Sequence, residues 1–239
     1  MVDYEAGNYL IDEFYQEYDP DMSRKDVLEL AEKYSDLISI ARYGEPDHMK
    51  SIMLFELSRD LSIQHIGKRK KARELFQFFN KEFNDALYEH LKSYKRIVEV
   101  GAGNGMLSYV LKKRGLSITA TDNMKWKLDR SDYGQDVFNL DYKAAMKLNP
   151  DCVISCWMPY RSEWTSAFRK QSSVKSYILI GEGAGGCTGS ELSFQNRKGW
   201  SQTYLQDVEN FAIARSDHNI GKSFSMYHTR VLQVTRDND

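Results

Sequence analysis

Three glycines at alternate positions, Gly101, Gly103 and Gly105, follow an apolar run that carries an acid, Arg96-Ile97-Val98-Glu99-Val100. A helix pattern, Met106 to Arg114, begins at once. Strand, glycine turn and helix in that order bring backbone N–H groups close to a ligand, because glycine has no Cβ to hold the ligand off and tolerates positive φ. A second strand-like run, Ser117 to Thr121, ends on Asp122, where an acid can accept hydrogen bonds from a ribose diol. The spacing G-x-G-x-G puts Met106 where a dinucleotide fingerprint wants its last glycine, so pyrophosphate cradling is disfavoured. The bland alternative is a tight strand-to-helix turn that holds no ligand.

Glu99 through Gly105 resemble the first motif of the class I S-adenosylmethionine-dependent methyltransferases, which reads as an acid, one residue, then G-x-G-x-G. The resemblance implies an α/β, Rossmann-like fold: a doubly wound, mostly parallel seven-stranded sheet with an antiparallel last strand. It implies S-adenosylmethionine as cofactor and names no substrate. Carried over residue by residue, it implies that Gly101, Ala102, Gly103 and Gly105 cradle the methionine portion and that Glu99 helps fix its amino group. Asp122, with Asn123 beside it, takes the ribose hydroxyls, and Asp141 the adenine, with Asp136 as its rival. Trp157 completes this set at the tip of the fourth strand. The loop Trp157-Met158-Pro159-Tyr160 looks like the D/N/S-P-P-Y/F/W loop of amino methyltransferases. Trp157 stands in the polar place and Met158 replaces the first proline, so only Pro159 and Tyr160 match.

On the acceptor side the candidates are Tyr160, Glu182 and His218, each in a loop expected at the ligand edge of the sheet. Glu182 is placed at a strand tip, where burial would raise a carboxyl pKa toward values useful to a base; a cap or a loop ion pair is the plain alternative. A lone loop histidine such as His218 is more often solvated than catalytic. The expected chemistry is direct displacement on an activated methyl group, with an aligned acceptor and no metal.

The elements that must position these residues are legible as patterns. A third strand is expected at Val137 to Leu140, followed by a helix from Tyr142 to Leu148. Cys152 to Trp157 is apolar without alternation, as in a central strand buried on both faces. A helix from Trp164 to Lys170 leads to a fifth strand, Tyr177 to Ile180, and to Gly181–Gly189, with five glycines in nine residues. Phe211 to Arg215 and Met226 to Val234 are expected to close the sheet as a hairpin, with His228 structural within the last strand.

Residues 1–92 read as an α-helical amino-terminal cap or accessory region, and 93–239 as the Rossmann-like domain. Ser23 is a candidate cap, with Asp26 as its capping-box partner. Ala72, Phe76, Phe79, Phe83, Leu87 and Leu91 form one stripe of an expected long helix from Lys68 to about Leu91. Its start, Lys68 to Arg73, holds five positive charges in six residues: a patch for weak nucleic-acid contact, or a solvated helix end, the reading favoured here. Tyr4, Tyr9, Phe14, Tyr15 and Tyr18 either fasten the terminus or line a pocket.

The 239 residues carry a net charge of −1, so no global field draws the chain to nucleic acid or an anionic membrane. Met1 to Asp12 lacks a signal-peptide pattern, and a cytoplasmic protein is expected. Cys152, Cys156 and Cys187 form no C-x-x-C pair and no disulfide framework. An enzyme methylating a small molecule or a protein side chain is the leading expectation. Its rivals are a nucleic-acid amino methyltransferase and a non-catalytic protein that keeps the cofactor.

Overall fold

The computed structural model describes residues 13, 16–17, 19, 21–33, 45, 47–48, 51, 77–125, 136–183, 186–214 and 229–237. Within these the chain forms two compact units: residues 1–82 with 213–215, and residues 83–212 with 216–239.

In the first unit, helix α1 (Arg24–Lys33) starts after Ser23. The Ser23 hydroxyl donates to Asp26 Oδ2 at 2.7 Å and accepts from the Asp26 N–H at 3.3 Å, so the expected capping pair forms. Strand β1 (Gln77–Phe78) pairs antiparallel with β8 (Ile213–Ala214). The long helix expected from Lys68 is therefore broken. Its described part is a strand at 77–78, and helix α2 (Lys81–Leu91) begins only after Asn80. The aromatic cluster around Gln77 favours extended backbone, and asparagine is a preferred residue just before a helix. Phe83, Leu87 and Leu91 of the expected stripe are buried on α2.

The second unit is built on a seven-stranded sheet. Its members, in chain order, are β2 (Ile97–Val100), β3 (Ile118–Asp122), β4 (Val137–Asn139), β5 (Cys152–Cys156), β6 (Ser176–Glu182), β7 (Trp200–Tyr204) and β9 (Thr229–Arg236). Their spatial order is β4-β3-β2-β5-β6-β9-β7. The first five run parallel, and β9 is inserted antiparallel between β6 and β7. Helices α3 (Met106–Lys113), α4 (Tyr142–Ala145), α5 (Thr165–Lys170) and α6 (Gln206–Glu209) connect the strands.

Central strands β2, β5 and β6 are buried along almost their whole length, as expected of strands covered on both faces. On one face Val98, Val153, Leu179 and Val234 join Phe168 of α5 and Ala145 of α4 in a single core. The period-two alternation sends Glu99 to the other face, where it meets Ser108 of α3.

The closing hairpin differs from the expected one. Ile213–Ala214 pairs with β1, and the last strand is flanked by β6 on one side and β7 on the other. The Glu209 carboxylate, just after β7, is buried and accepts from Arg230 Nε at 2.9 and 3.0 Å and from Val231 N–H at 2.9 Å. That pair, a buried carboxylate with a half-buried guanidinium, fixes the β7–α6 segment to β9. Trp200-Ser-Gln-Thr-Tyr204 carries a strand signal, aromatic and β-branched residues in a short run, that the sequence reading passed over.

Among the described residues no helix is long and apolar enough to cross a membrane.

Candidate functional site

Parallel register places the carboxyl ends of β2 to β6 at one edge. Val100 pairs with Thr121, so Asp122 projects one residue further, level with the start of the glycine turn. The turn is bonded to that strand: Ala102 N–H donates to the Thr121 carbonyl at 3.0 Å, and Gly103 N–H donates to Asp122 Oδ2 at 3.1 Å. Asp122 Oδ1 accepts from Met124 N–H at 2.7 Å. Asn123 turns its own Oδ1 to Lys125 N–H at 3.0 Å.

The three glycines all have positive φ, 71°, 56° and 77°, but for different reasons. A Cβ on Gly101 would lie 2.9 Å from Cζ3 of Trp164, and one on Gly105 would lie 2.6 Å from Cγ2 of Val137. A Cβ on Gly103 would meet nothing within 4 Å. Packing therefore accounts for the outer two glycines. The middle one fronts open space that a side chain would fill, at the point where α3 presents its amino end.

Glu99 is buried and turned inward. Its Oε2 accepts from Ser108 N–H at 3.1 Å and from the Ser108 hydroxyl. Burial raises its pKa from 4.5 to about 7, against the lowering effect of both Ser108 bonds, and the Asp122 charge adds to the rise. Asp141 caps α4, its exposed Oδ1 accepting from Lys143 and Ala144 N–H at 2.9 and 2.8 Å. Asp136 is exposed and lies 3.2 Å from Lys112 Nζ.

Trp157 follows β5 with φ of 55°, a backbone region costly for a bulky residue, and its N–H donates to the Ile180 carbonyl at 2.7 Å. Met158 is buried, whereas Tyr160 is 61% exposed. Arg161 lies over the Tyr160 ring at 5.1 Å. The loops after β5 and β6 are tied together, since Gly189 N–H donates to the Met158 carbonyl at 2.9 Å and Arg161 N–H to the Gly189 carbonyl at 2.7 Å. Glu182 ends β6 buried, its carboxylate accepting from Cys187 N–H. Tyr160 thus lies in a loop joined to the one that follows Glu182, at the same edge as Gly103 and Asp122.

His218, His228, the run Lys68–Arg73 and the aromatic residues Tyr4, Tyr9, Phe14, Tyr15 and Tyr18 lie outside the described residues. Cys152 is buried and burial pushes its thiol pKa up; Cys156 is half-buried and raised for the same reason, with Glu99 adding to it. Cys187 is exposed. Among the described residues no group of acids, histidines and cysteines is arranged to hold a metal.

Sequence reading missed Trp164, used only as the start of a helix. Its ring packs on Gly101 and stacks on Tyr142 at 5.4 Å and 13°. No short-range signal marks such a contact, because Gly101 and Trp164 meet only once β2 and β5 pair.

Five parallel strands with the β4-β3-β2-β5-β6 order, and an antiparallel strand inserted before the edge, make the Rossmann-like fold of the class I methyltransferases. No protein-family model and no curated protein matches the chain. Among solved structures it is similar to magnesium protoporphyrin IX methyltransferase from Synechocystis with bound S-adenosylmethionine, at 14% identity and TM-score 0.39, covering 92% of this chain and 100% of that one. It is also similar to human N-acetylserotonin methyltransferase in complex with S-adenosylmethionine, at 9% identity and TM-score 0.40, covering 97% and 67%. An rRNA methylase from Streptococcus thermophilus is similar at 11% identity and TM-score 0.40, covering 65% and 95%. The fold assignment stands on strand order and direction.

Proposed function

We propose that this chain is an S-adenosylmethionine-dependent methyltransferase whose acceptor is a small molecule or a protein side chain. The observation that carries the reading is Gly103: left-handed backbone, open space where a Cβ would be, and an N–H bonded to the acid at the neighbouring strand tip. An adenosyl amino acid suits that surface, since the turn offers main-chain contacts to its amino-acid end and Asp122 keeps lone pairs for a diol. Gly101 through Gly105 would hold the methionine portion, Asp122 and Asn123 the ribose side, and Asp141 the adenine. Glu99 braces the turn from below through Ser108.

When bound, the cofactor supplies a methyl group on an already activated sulfonium. The chain's own part is to align the acceptor and receive a proton. Exposed Tyr160 would contact the acceptor, and buried Glu182 would accept the proton, with His218 a further candidate.

The test is calorimetric titration with S-adenosylmethionine, S-adenosylhomocysteine and NAD. Micromolar binding of both adenosyl compounds and none of NAD supports the reading, and silence from both adenosyl compounds overturns it. Asp122→Ala is expected to weaken cofactor binding by about 1–3 kcal/mol; an unchanged dissociation constant removes Asp122 from the ribose.

Exposed Tyr160 after Pro159 favours one second reading, transfer to a nucleic-acid amine. RNA or DNA binding at low salt, where phosphate contacts are strongest, is its requirement. Tight cofactor binding without transfer to any acceptor class would instead mark a non-catalytic protein.

A further inference from the structure

Trp164 joins three segments at the sheet edge. Its ring lies on Gly101, after β2, so closely that a Cβ there would sit 2.9 Å from Cζ3 and 3.0 Å from Cη2. It stacks on Tyr142, the residue after Asp141, which follows β4. It sits itself at the end of the loop after β5, immediately before α5.

What holds Trp164 is a polar network from its own flanks to the sheet interior. Glu163 accepts from Ser166 N–H at 3.0 Å and from the Thr165 hydroxyl. Arg169 Nη1 donates to Thr165 Oγ1 at 2.8 Å and to the Tyr177 hydroxyl at 2.9 Å, and Arg169 Nη2 lies 3.6 Å from Glu163. Tyr177 is fully buried on β6, its ring against Phe168 and Trp200. Burial works upward on the Glu163 carboxyl, yet its Ser166 and Thr165 bonds and Arg169 hold it below the usual range, the sign of a committed ion.

We infer that Trp164 is a positioning residue, anchored through Glu163, Arg169 and Tyr177, that fixes the glycine turn and the Asp141 loop relative to the loop carrying Tyr160. The ring sets the position of Gly101 from outside the turn, and so the direction of the Gly103 N–H. The consequence for cofactor binding rests on the proposed methyltransferase reading; the positional claim does not.

Two measurements separate them. The first is hydrogen exchange on the ligand-free protein, following segments 98–106 and 140–146, with β9 as control. Trp164→Ala and Arg169→Met are expected to speed exchange in both segments by about tenfold while β9 stays protected, because local opening is freed without global unfolding. Trp164→Phe, which keeps an aromatic face, should restore protection. Tyr142→Leu gives a variant that leaves the Glu163–Arg169–Tyr177 network untouched should Arg169→Met fail to fold. Unchanged exchange in both segments for Trp164→Ala and Tyr142→Leu overturns the inference.

The second is S-adenosylhomocysteine titration. Trp164→Ala is expected to lose about tenfold or more in affinity and Trp164→Phe to stay near wild type, as small misplacements of a preorganised site are costly. Equal affinity in Trp164→Ala and wild type overturns the link to binding. If wild type itself binds no S-adenosylhomocysteine, the function proposal fails while the exchange result still decides the role of Trp164.

Discussion

Gly103 and Gly105 share a left-handed backbone but have opposite surroundings, so single substitutions separate turn from site. Gly103→Leu should cost only about 1–2 kcal/mol of stability, the left-handed penalty for a side chain that meets no neighbour, yet abolish cofactor binding. Gly105→Ala drives a methyl into Val137 and should lose about 2–4 kcal/mol from clash and strain together. Urea unfolding and calorimetry on the pair check both; retained affinity in Gly103→Leu would reduce the triplet to a turn. Glu99 makes a prediction of its own. Its folded pKa of about 7 lies above the ordinary 4.5, so the folded state holds the proton over that interval. Its effect is fully favourable below pH 4.5, declines as pH rises to 7, and is constant beyond. Roughly 3 kcal/mol should be lost across that window, and Glu99→Gln should flatten the decline. The Glu163 carboxyl, held low, acts in the opposite sense: its contribution is present above 4.5 and disappears as pH falls through its folded pKa. An equal slope between pH 5 and 7 in Glu99→Gln and wild type would remove Glu99 as the cause.

Among the described elements, the join between β7–α6 and β9 rests on one buried carboxylate. Glu209→Ala removes the carboxylate that receives Arg230 Nε and the Val231 N–H, and about 2–4 kcal/mol should be lost in urea unfolding. A loss below about 0.5 kcal/mol would mean the pair is solvated and dispensable. This join also shows where sequence reading stops. Strands β2, β3, β4, β5 and β6 and helices α3, α4 and α5 were legible because apolar runs, glycine turns and caps are local signals. Asp122 beside Gly103 was legible too, since parallel strands of known order bring their tips together. The choice of β7 over Ile213–Ala214 as partner of β9 depends on a buried carboxylate meeting an arginine 21 residues on, which no local pattern encodes. The break of the Lys68 helix came from a strand only two residues long. Trp164 escaped for the same reason as β7: its partner is distant in sequence.

For the molecule as a whole, a ligand that binds only the folded chain adds to its stability. At a hundredfold excess over the dissociation constant, S-adenosylhomocysteine should add about 2.7 kcal/mol and raise the melting temperature, while NAD at equal concentration should not. A shift from NAD alone would point to a different nucleotide site. The sheet also has a history written into its order. Synthesis runs from the amino end, and 24 residues separate β7 from β9, the strand that becomes its sole neighbour in the described sheet. Until then β7 has no ladder to join, and β6, buried along its full length in the finished fold, presents a naked apolar edge. The glycine turn and Asp122 are already made by that time. The nascent chain thus makes its glycine turn and Asp122 before the strand that seals its sheet, and over that interval the open edge of β6 is free to pair wrongly.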